Sequence, residues 1–192
     1  MSNFFGSGVE LVYSFGGEST NLATFTTEDN LLKTYPACAV PNLRQVLNNT
    51  GNRSSCMRLH ARGLAGSTGT PTFTFTVRLI TSETWSAGGL IVGSSGAVAA
   101  GSGVILSPWE LSLEMILRTL PAAGVNATIK SMGSINGAAF PSEGAIPANN
   151  VSPQLSTVDL SAQYYLWISA ACSASSSSNL INTQMMKLYV ET

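Results

Sequence analysis

A strict alternation of apolar and polar residues between Thr70 and Thr81 constrains the fold of this chain more than any other feature. The stretch reads TPTFTFTVRLIT, and every second residue from Phe73 to Leu79 is apolar. A period of two places these apolar side chains on one face of a β-strand, and threonine and phenylalanine both favour strands. The segment is therefore predicted to be a half-buried antiparallel strand, whose apolar face needs a second layer to cover it.

The same period occurs in other parts of the chain. In SCMRLHARGLAG, apolar residues from Met57 onward alternate with Arg58, His60 and Arg62. The turn-rich GSTGTP that follows predicts a hairpin with the strand after it, in a sheet with one solvated face. By contrast, YYLWISAACSA is apolar at nearly every position, which predicts a central strand covered on both faces.

Residues 107 to 121, SPWELSLEMILRTLP, fit two secondary structures. Ser107 as a cap and Glu110 three residues later fit the start of a helix. The alternation that begins at Trp109 fits a strand equally well, and a helix would place Glu110 and Glu114 at an unfavourable like-charge spacing. Because local propensity is a weak guide against tertiary context, we predict a strand and keep the helix as the alternative.

The predicted strands are joined by short loops rich in glycine, serine, alanine and proline, without a βαβ rhythm. This pattern predicts an all-β protein, an antiparallel β-sandwich that is jelly-roll-like. Residues 31–192 are expected to form this single domain, with a two-proline edge strand at 31–41. Residues 1–30 are expected to form a less ordered N-terminal arm or early strands.

The charge content narrows the classes of partner. Only 10% of the residues are charged, against about 25% in ordinary domains. Nine lysines and arginines oppose ten acids without a basic block, so the sequence predicts no nucleic-acid partner. The N-terminus lacks the basic start and apolar core of a secretory signal, and no run approaches the roughly 20 apolar residues of a membrane span. We therefore expect the protein to be made in a cytoplasm. We also expect it to oligomerise, because its low charge gives little repulsion between copies.

The sequence predicts no catalytic residue, no cofactor and no metal site. Cys38, Cys56 and Cys172 are odd in number and lie in strand-like surroundings, so they are expected to be buried thiols without a disulfide framework. His60 lies between two arginines, where an exposed strand residue is expected rather than a catalytic base. A nucleophile elbow, a phosphate-loop lysine and a cluster with metal-ligand spacing are all missing.

Two weaker possibilities remain open. Trp85, in the loop-like SETWSAGG, could stack on a sugar, although an aromatic side chain that covers the sheet edge is the simpler interpretation. A pair of carboxylates for glycoside cleavage could in principle be assembled, although a chain with so few acids makes this remote. The acids available for it are Glu83, Glu110, Glu114, Glu143 and Asp159.

Several segments together resemble a group of small structural proteins of tailed phages and prophages. They are LLKTYPACAVP, MRLHARGLAGSTGTPTFTFTVRL, PWELSLEMILR, ATIKSMGSI and YYLWISAACSASSSSNLINTQMMKLYVE. The group is similar in its R-x-R-A-R-G strand, its T-P-G-T-type turn, its W-E-L strand and its closing strand rich in glutamine and leucine. The resemblance covers residues 31–192; His60 departs from the arginine that the group often has, and the N-terminal segment is unmatched.

The resemblance implies a virion component, a capsid decoration (cement) protein of the head. It would act as a homotrimer that binds the major capsid protein on the outer capsid surface and stabilises the shell. From the residues themselves, Phe4 and Phe5 ahead of a glycine-rich hinge are candidate capsid-attachment anchors, with packing on their own domain as the alternative. The competing function is a receptor-binding or tail-fibre tip domain that recognises a host surface glycan.

Overall fold

The structure, a computed structural model, describes residues 9–41, 43, 56–119, 126–147 and 154–191. These residues form thirteen β-strands. In chain order the strands are β1 (Val9–Gly16), β2 (Leu22–Ala23), β3 (Asp29–Asn30), β4 (Cys38–Ala39), β5 (Cys56–Gly66), β6 (Thr72–Ile80), β7 (Leu90–Ala99), β8 (Ser107–Thr119), β9 (Asn126–Gly137), β10 (Phe140–Ile146), β11 (Gln154–Asp159), β12 (Tyr165–Cys172) and β13 (Leu180–Glu191).

Two antiparallel sheets pack face to face. The eight-stranded sheet has the order β1-β13-β5-β8-β9-β10, with β2 beside β13 and β11 beside β9. The five-stranded sheet has the order β3-β12-β6-β7, with β4 beside β12. Because β5 pairs with β13 and β6 with β12, strands distant in sequence are wound together in nested pairs. The predicted all-β, jelly-roll-like sandwich is confirmed.

The core lies between the sheets and is built from the apolar faces that the alternation predicts. Phe75 on β6 packs against Trp109 on β8 with a ring separation of 5.4 Å, so these two strands meet across the interface. Trp109, Leu111 and Leu113 are almost completely buried. The strand prediction is therefore confirmed over residues 107–119, and the helix alternative is wrong there.

The predicted hairpin between β5 and β6 is wrong, because the two strands belong to different sheets. β5 pairs with β13 and β8, whereas β6 pairs with β12 and β7. Each strand has one continuous apolar face. Because the two strands lie in opposite sheets, both apolar faces are buried in the core between the sheets. The connection between them crosses from one sheet to the other, and the Ser67 amide donates to the Val104 carbonyl at 2.9 Å.

The predicted solvated face of β6 is also wrong for its second half, where Thr76 and Arg78 are buried. Glu28, from the segment before β3, lies over this outer face and accepts hydrogen bonds from Arg78 Nε at 2.7 Å and Nη2 at 2.6 Å. Arg78 Nη1 donates to the Gly89 carbonyl at 2.7 Å, and Ser169 on β12 donates to Glu28. β12 is buried along nearly its whole length, which confirms the prediction that this strand is covered on both faces.

The early strands pair with the body of the sandwich. β1 and β2 both lie against β13, and β3 lies against β12. The Tyr35 hydroxyl donates to the carbonyls of Gly17 and Thr183, which links the segment after β3 to the eight-stranded sheet. The domain boundary at residue 30 stays a prediction.

The three cysteines are buried thiols, as the sequence predicts. Burial raises the pKa of the Cys38 thiol to about 12, and burial is also the largest cause of the raised pKa of Cys56. Because the thiolate is the reactive form, we expect no reaction of the folded protein with Ellman's reagent at about pH 8. Three thiols per chain should react after unfolding in guanidinium chloride, and rapid reaction of one thiol in the folded protein would contradict the assignment.

Candidate functional site

The outer face of the eight-stranded sheet gathers much of the chain's sparse charge. The alternation on β5 sends Leu59 and Ala61 into the core, so Arg58, His60 and Arg62 point outward. Their neighbours on β8 and β13 follow from the strand register, which places further polar residues of these strands on the same side. This face is therefore a polar surface built from three central strands.

Ion pairs connect the three strands. Arg58 Nη1 lies 2.7 Å from Glu191 Oε1 on β13, and Arg58 Nε lies 2.9 Å from Glu114 Oε1 on β8. Arg62 Nη2 donates to Glu110 Oε1 at 3.0 Å. With side-chain exposures of 42% for Arg58 and 57% for Arg62, solvent screens these pairs, so they orient side chains more than they stabilise the fold.

Two grooves run over this face. The first has a volume of about 460 Å³ and is lined by Val9, Arg58, His60, Arg62, Met185, Lys187, Tyr189 and Glu191. The second has a volume of about 630 Å³ and is lined by Arg62, Gly63, Leu64, Pro108, Trp109, Glu110, Asn136, Gly137, Gln184 and Met185. Arg62 and Met185 line both, so the two grooves adjoin, and we call the pair the sheet groove.

Close packing of the main chains shapes the second groove. A Cβ on Gly63 would overlap the carbonyl oxygen of Asn182 and lie 2.9 Å from Thr183 Cα. Gly137, at φ 132°, would bring a Cβ within 2.8 Å of Trp109 Cα. Glycine at both positions lets the neighbouring strands approach closely.

His60 lies where the sequence predicts, on the polar face of β5, and is half-buried in the first groove. Its ring meets Tyr189 edge to face, with centroids 6.0 Å apart. Lys187 on β13 and Ser112 on β8 stand directly opposite it in the register. His60 is thus one of several polar groups on the outer face of the eight-stranded sheet.

The other candidates from the sequence lie outside the sheet groove. Trp85 is half-buried against Trp167, with ring centroids 6.3 Å apart, so it covers the outer face of the five-stranded sheet instead of standing free for a sugar. Glu83 accepts a hydrogen bond from the Tyr165 hydroxyl at 2.9 Å. Glu110 and Glu114 are held in the arginine ion pairs.

Asp159 and Glu143 complete the set of acids considered for glycoside cleavage. Hydrogen bonds from the side chain and backbone of Ser161 hold the pKa of Asp159 below its ordinary value, so it ends β11 as a capped turn residue. Glu143 is exposed on β10. Among the residues that the structure describes, no group of three or more histidines, cysteines and acids could hold a metal ion. No helix in the described ranges is long and apolar enough to cross a membrane.

Phe4 and Phe5 lie outside the described residues, so their attachment role stays a prediction. The strand that follows them carries a feature that the sequence reading missed. β1 is the edge strand of the eight-stranded sheet, and its outward residues Val9 and Leu11 are 63% and 48% exposed. In the sequence, VELVYSF is only weakly amphipathic. This pattern does not show whether its apolar residues face the core or the surface.

Comparisons with known proteins do not place the chain in a family. No protein-family model matches it, and no curated protein does. Among solved structures it is similar to the CBM2 module of the evolved Dit of Lactobacillus casei BL23 phage J-1, at 12% sequence identity over 96% of this chain and 97% of that chain. The TM-score of 0.34 is too low to establish a shared fold, so this similarity assigns neither fold nor function.

Proposed function

We propose that the protein is a non-catalytic structural protein of a phage virion, which decorates the outer face of the head as a homotrimer. The sequence resemblance over residues 31–192 supports the virion role. A decoration protein stabilises a shell by burying surface that must be exposed again when it dissociates. Its partners are then the major capsid protein and further copies of itself.

The observation that carries this proposal is the exposed apolar edge at β1. An edge strand offers unpaired backbone donors and acceptors to another chain, and proteins usually protect such edges with charge or proline. Here Val9 and Leu11 are exposed on either side of a single charged residue, Glu10. Phe4 and Phe5 lie just before it in the sequence, so apolar anchors and an exposed apolar edge would act together on a capsid chain.

Attachment is tested by adding purified protein to heads that lack it and measuring occupancy and resistance to heat. Leu11→Lys and removal of residues 1–8 are each expected to weaken binding at least tenfold, since each removes apolar contact area and the first also adds charge to the edge. Ile105→Lys is the matched control, because Ile105 is 87% exposed but lies in the loop before β8. Both attachment variants should remain folded.

Light scattering on the same variants reports the oligomeric state. If Leu11→Lys binds heads as well as the wild type but loses its trimer, the β1 edge is a self-association face and the attachment proposal is wrong. If both attachment variants bind with unchanged affinity and unchanged oligomeric state, the edge has neither role.

The sheet groove favours a second candidate function, a receptor-binding domain that recognises a host surface glycan. The groove is open, and its lining combines the aromatic Tyr189 with amide and guanidinium groups such as Asn136 and Arg62. Sugar-binding sites need such a mixture, because a pyranose has apolar faces and a rim of hydroxyl groups. Binding of the protein to host cells but not to heads would favour this function over decoration.

A further inference from the structure

We propose that the first groove binds an anionic saccharide and that Lys187 and His60 hold its carboxylate or phosphate group. This inference deepens the second candidate function and rests on it. It assigns the chemical class of the ligand, which neither the sequence resemblance nor the shape of the groove supplies.

One row of residues across the sheet is rich in hydrogen-bond donors. The register places five side chains side by side on β1, β13, β5, β8 and β9. They are Ser14, Lys187, His60, Ser112 and Ser134, which we call the donor row. Residues directly opposite one another in adjacent strands have Cβ atoms about 5 Å apart. Every member can donate a hydrogen bond and none is an acid, so the row suits an anion.

The cationic side chains around the row differ in whether a carboxylate neutralises them. Arg58 faces two carboxylates and Arg62 faces one, in the rows on either side. Lys187 is half-buried on the groove floor and, among the residues that the structure describes, has no carboxylate within ion-pair distance. A cation that is partly removed from water and lacks a counter-charge gains most from an anionic ligand. The positive charge without a counter-charge is therefore centred on Lys187.

Other features of the first groove favour a saccharide over an acidic peptide. Of the donor row, Lys187 and His60 line the first groove, and the three serines flank them in the strand register. Tyr189 lies two residues from Lys187 on β13 and presents an aromatic surface for the apolar face of a sugar ring. The second groove meets the first at Arg62 and Met185, which leaves space for further sugar units along the sheet.

Calorimetric titration of the full-length protein tests the ligand class. The probes are an oligogalacturonate, its fully methyl-esterified form, a poly(glycerol phosphate) chain and a polyglutamate peptide. We expect an acidic saccharide to bind at least roughly tenfold more tightly than the neutral ester, and binding to weaken as salt is raised from about 50 to 300 mM. Comparison of the first and third probes tells a carboxylate ligand from a phosphate ligand.

Variants then locate the anion. Lys187→Gln should weaken binding roughly tenfold, whereas Lys187→Arg should retain it, because the charge and donors remain. Lys130→Gln is the matched control, since Lys130 is also half-buried on the eight-stranded sheet but does not line either groove. Equal weakening by both glutamine variants would point to general charge attraction and overturn the assignment.

The outcomes separate this inference from the function on which it rests. If the neutral ester binds as tightly as the acid and Lys187→Gln has no effect, glycan recognition stands and the anionic assignment is wrong. If polyglutamate binds as well as the saccharides, the ligand class is wrong. If none of the saccharide probes binds, the anionic assignment is wrong. The second function fails with it only if the protein does not bind host cells either.

Discussion

Replacing Gly63 with alanine is expected to lower the free energy of unfolding by about 3 kcal/mol or more. The added methyl group would overlap the Asn182 carbonyl oxygen, which belongs to the main chain of β13 and cannot rotate away as a side chain could. The register of β13 against β5 shifts between Thr183 and Met185, so this crossing lies at a bulge. Relief of the overlap requires the two strands to separate.

Strand separation at this point would also break one buried and three part-buried hydrogen bonds of Asn182. The Asn182 carbonyl accepts from Trp109 Nε1 at 3.0 Å, and its side-chain oxygen accepts from the Leu64 amide at 3.0 Å. Asn182 Nδ2 donates to Glu18 Oε1 and Asn21 Oδ1, both at 2.8 Å, and so holds the segment between β1 and β2. Each buried group left without its partner adds about 1–3 kcal/mol to the cost.

Urea denaturation followed by tryptophan fluorescence measures the effect. Gly16→Ala on β1 is the matched control, because a Cβ at Gly16 meets nothing within 4 Å. Its midpoint should stay close to that of the wild type, whereas the Gly63→Ala midpoint should fall sharply. Equal midpoints for the two variants would show that β13 can move away from β5 at little cost.

Replacing Arg78 with methionine is expected to lower the free energy of unfolding by about 3 kcal/mol, because it leaves Glu28 partly buried without its counter-charge. The side chains are 9% and 22% exposed, so water can replace little of the lost interaction. The double variant Arg78→Met with Glu28→Leu should recover most of the loss, since it removes both charges. Lys33→Met is the control: its pair with Asp29 is exposed and should contribute less than about 1 kcal/mol.

This ion pair also predicts a pH dependence. Burial alone would raise the pKa of Glu28, but the hydrogen bonds from Arg78 and Ser169 and the Arg78 charge outweigh it, so the pKa lies below its ordinary value of 4.5. A lowered pKa in the folded state means that the stabilisation is fully present above the unfolded pKa, and that it is lost as the pH falls through the folded pKa. The wild type should therefore lose more stability than Arg78→Met between about pH 5 and pH 2. Parallel losses in the two proteins would contradict the role of Glu28.

The sequence by itself determined the strands and the direction of most side chains. A strand's two faces differ in the very next residue, so the alternation around Phe73 and Trp109 reveals both the strand and its buried side from local information. The same local pattern correctly placed Arg58, His60 and Arg62 on a polar face. These features required no knowledge of which strands are neighbours.

Only the tertiary structure decided which strands pair and what covers each sheet. Hydrogen bonds between strands join residues far apart in the chain. The apolar face of a strand does not reveal which strands lie beside it in the sheet, so the predicted β5–β6 hairpin was wrong. Arg78 is buried because a distant carboxylate, Glu28, lies over it. Likewise, the donor row exists because β13 brings Lys187 beside His60, an adjacency set by the register of a long-range pairing that no local pattern contains.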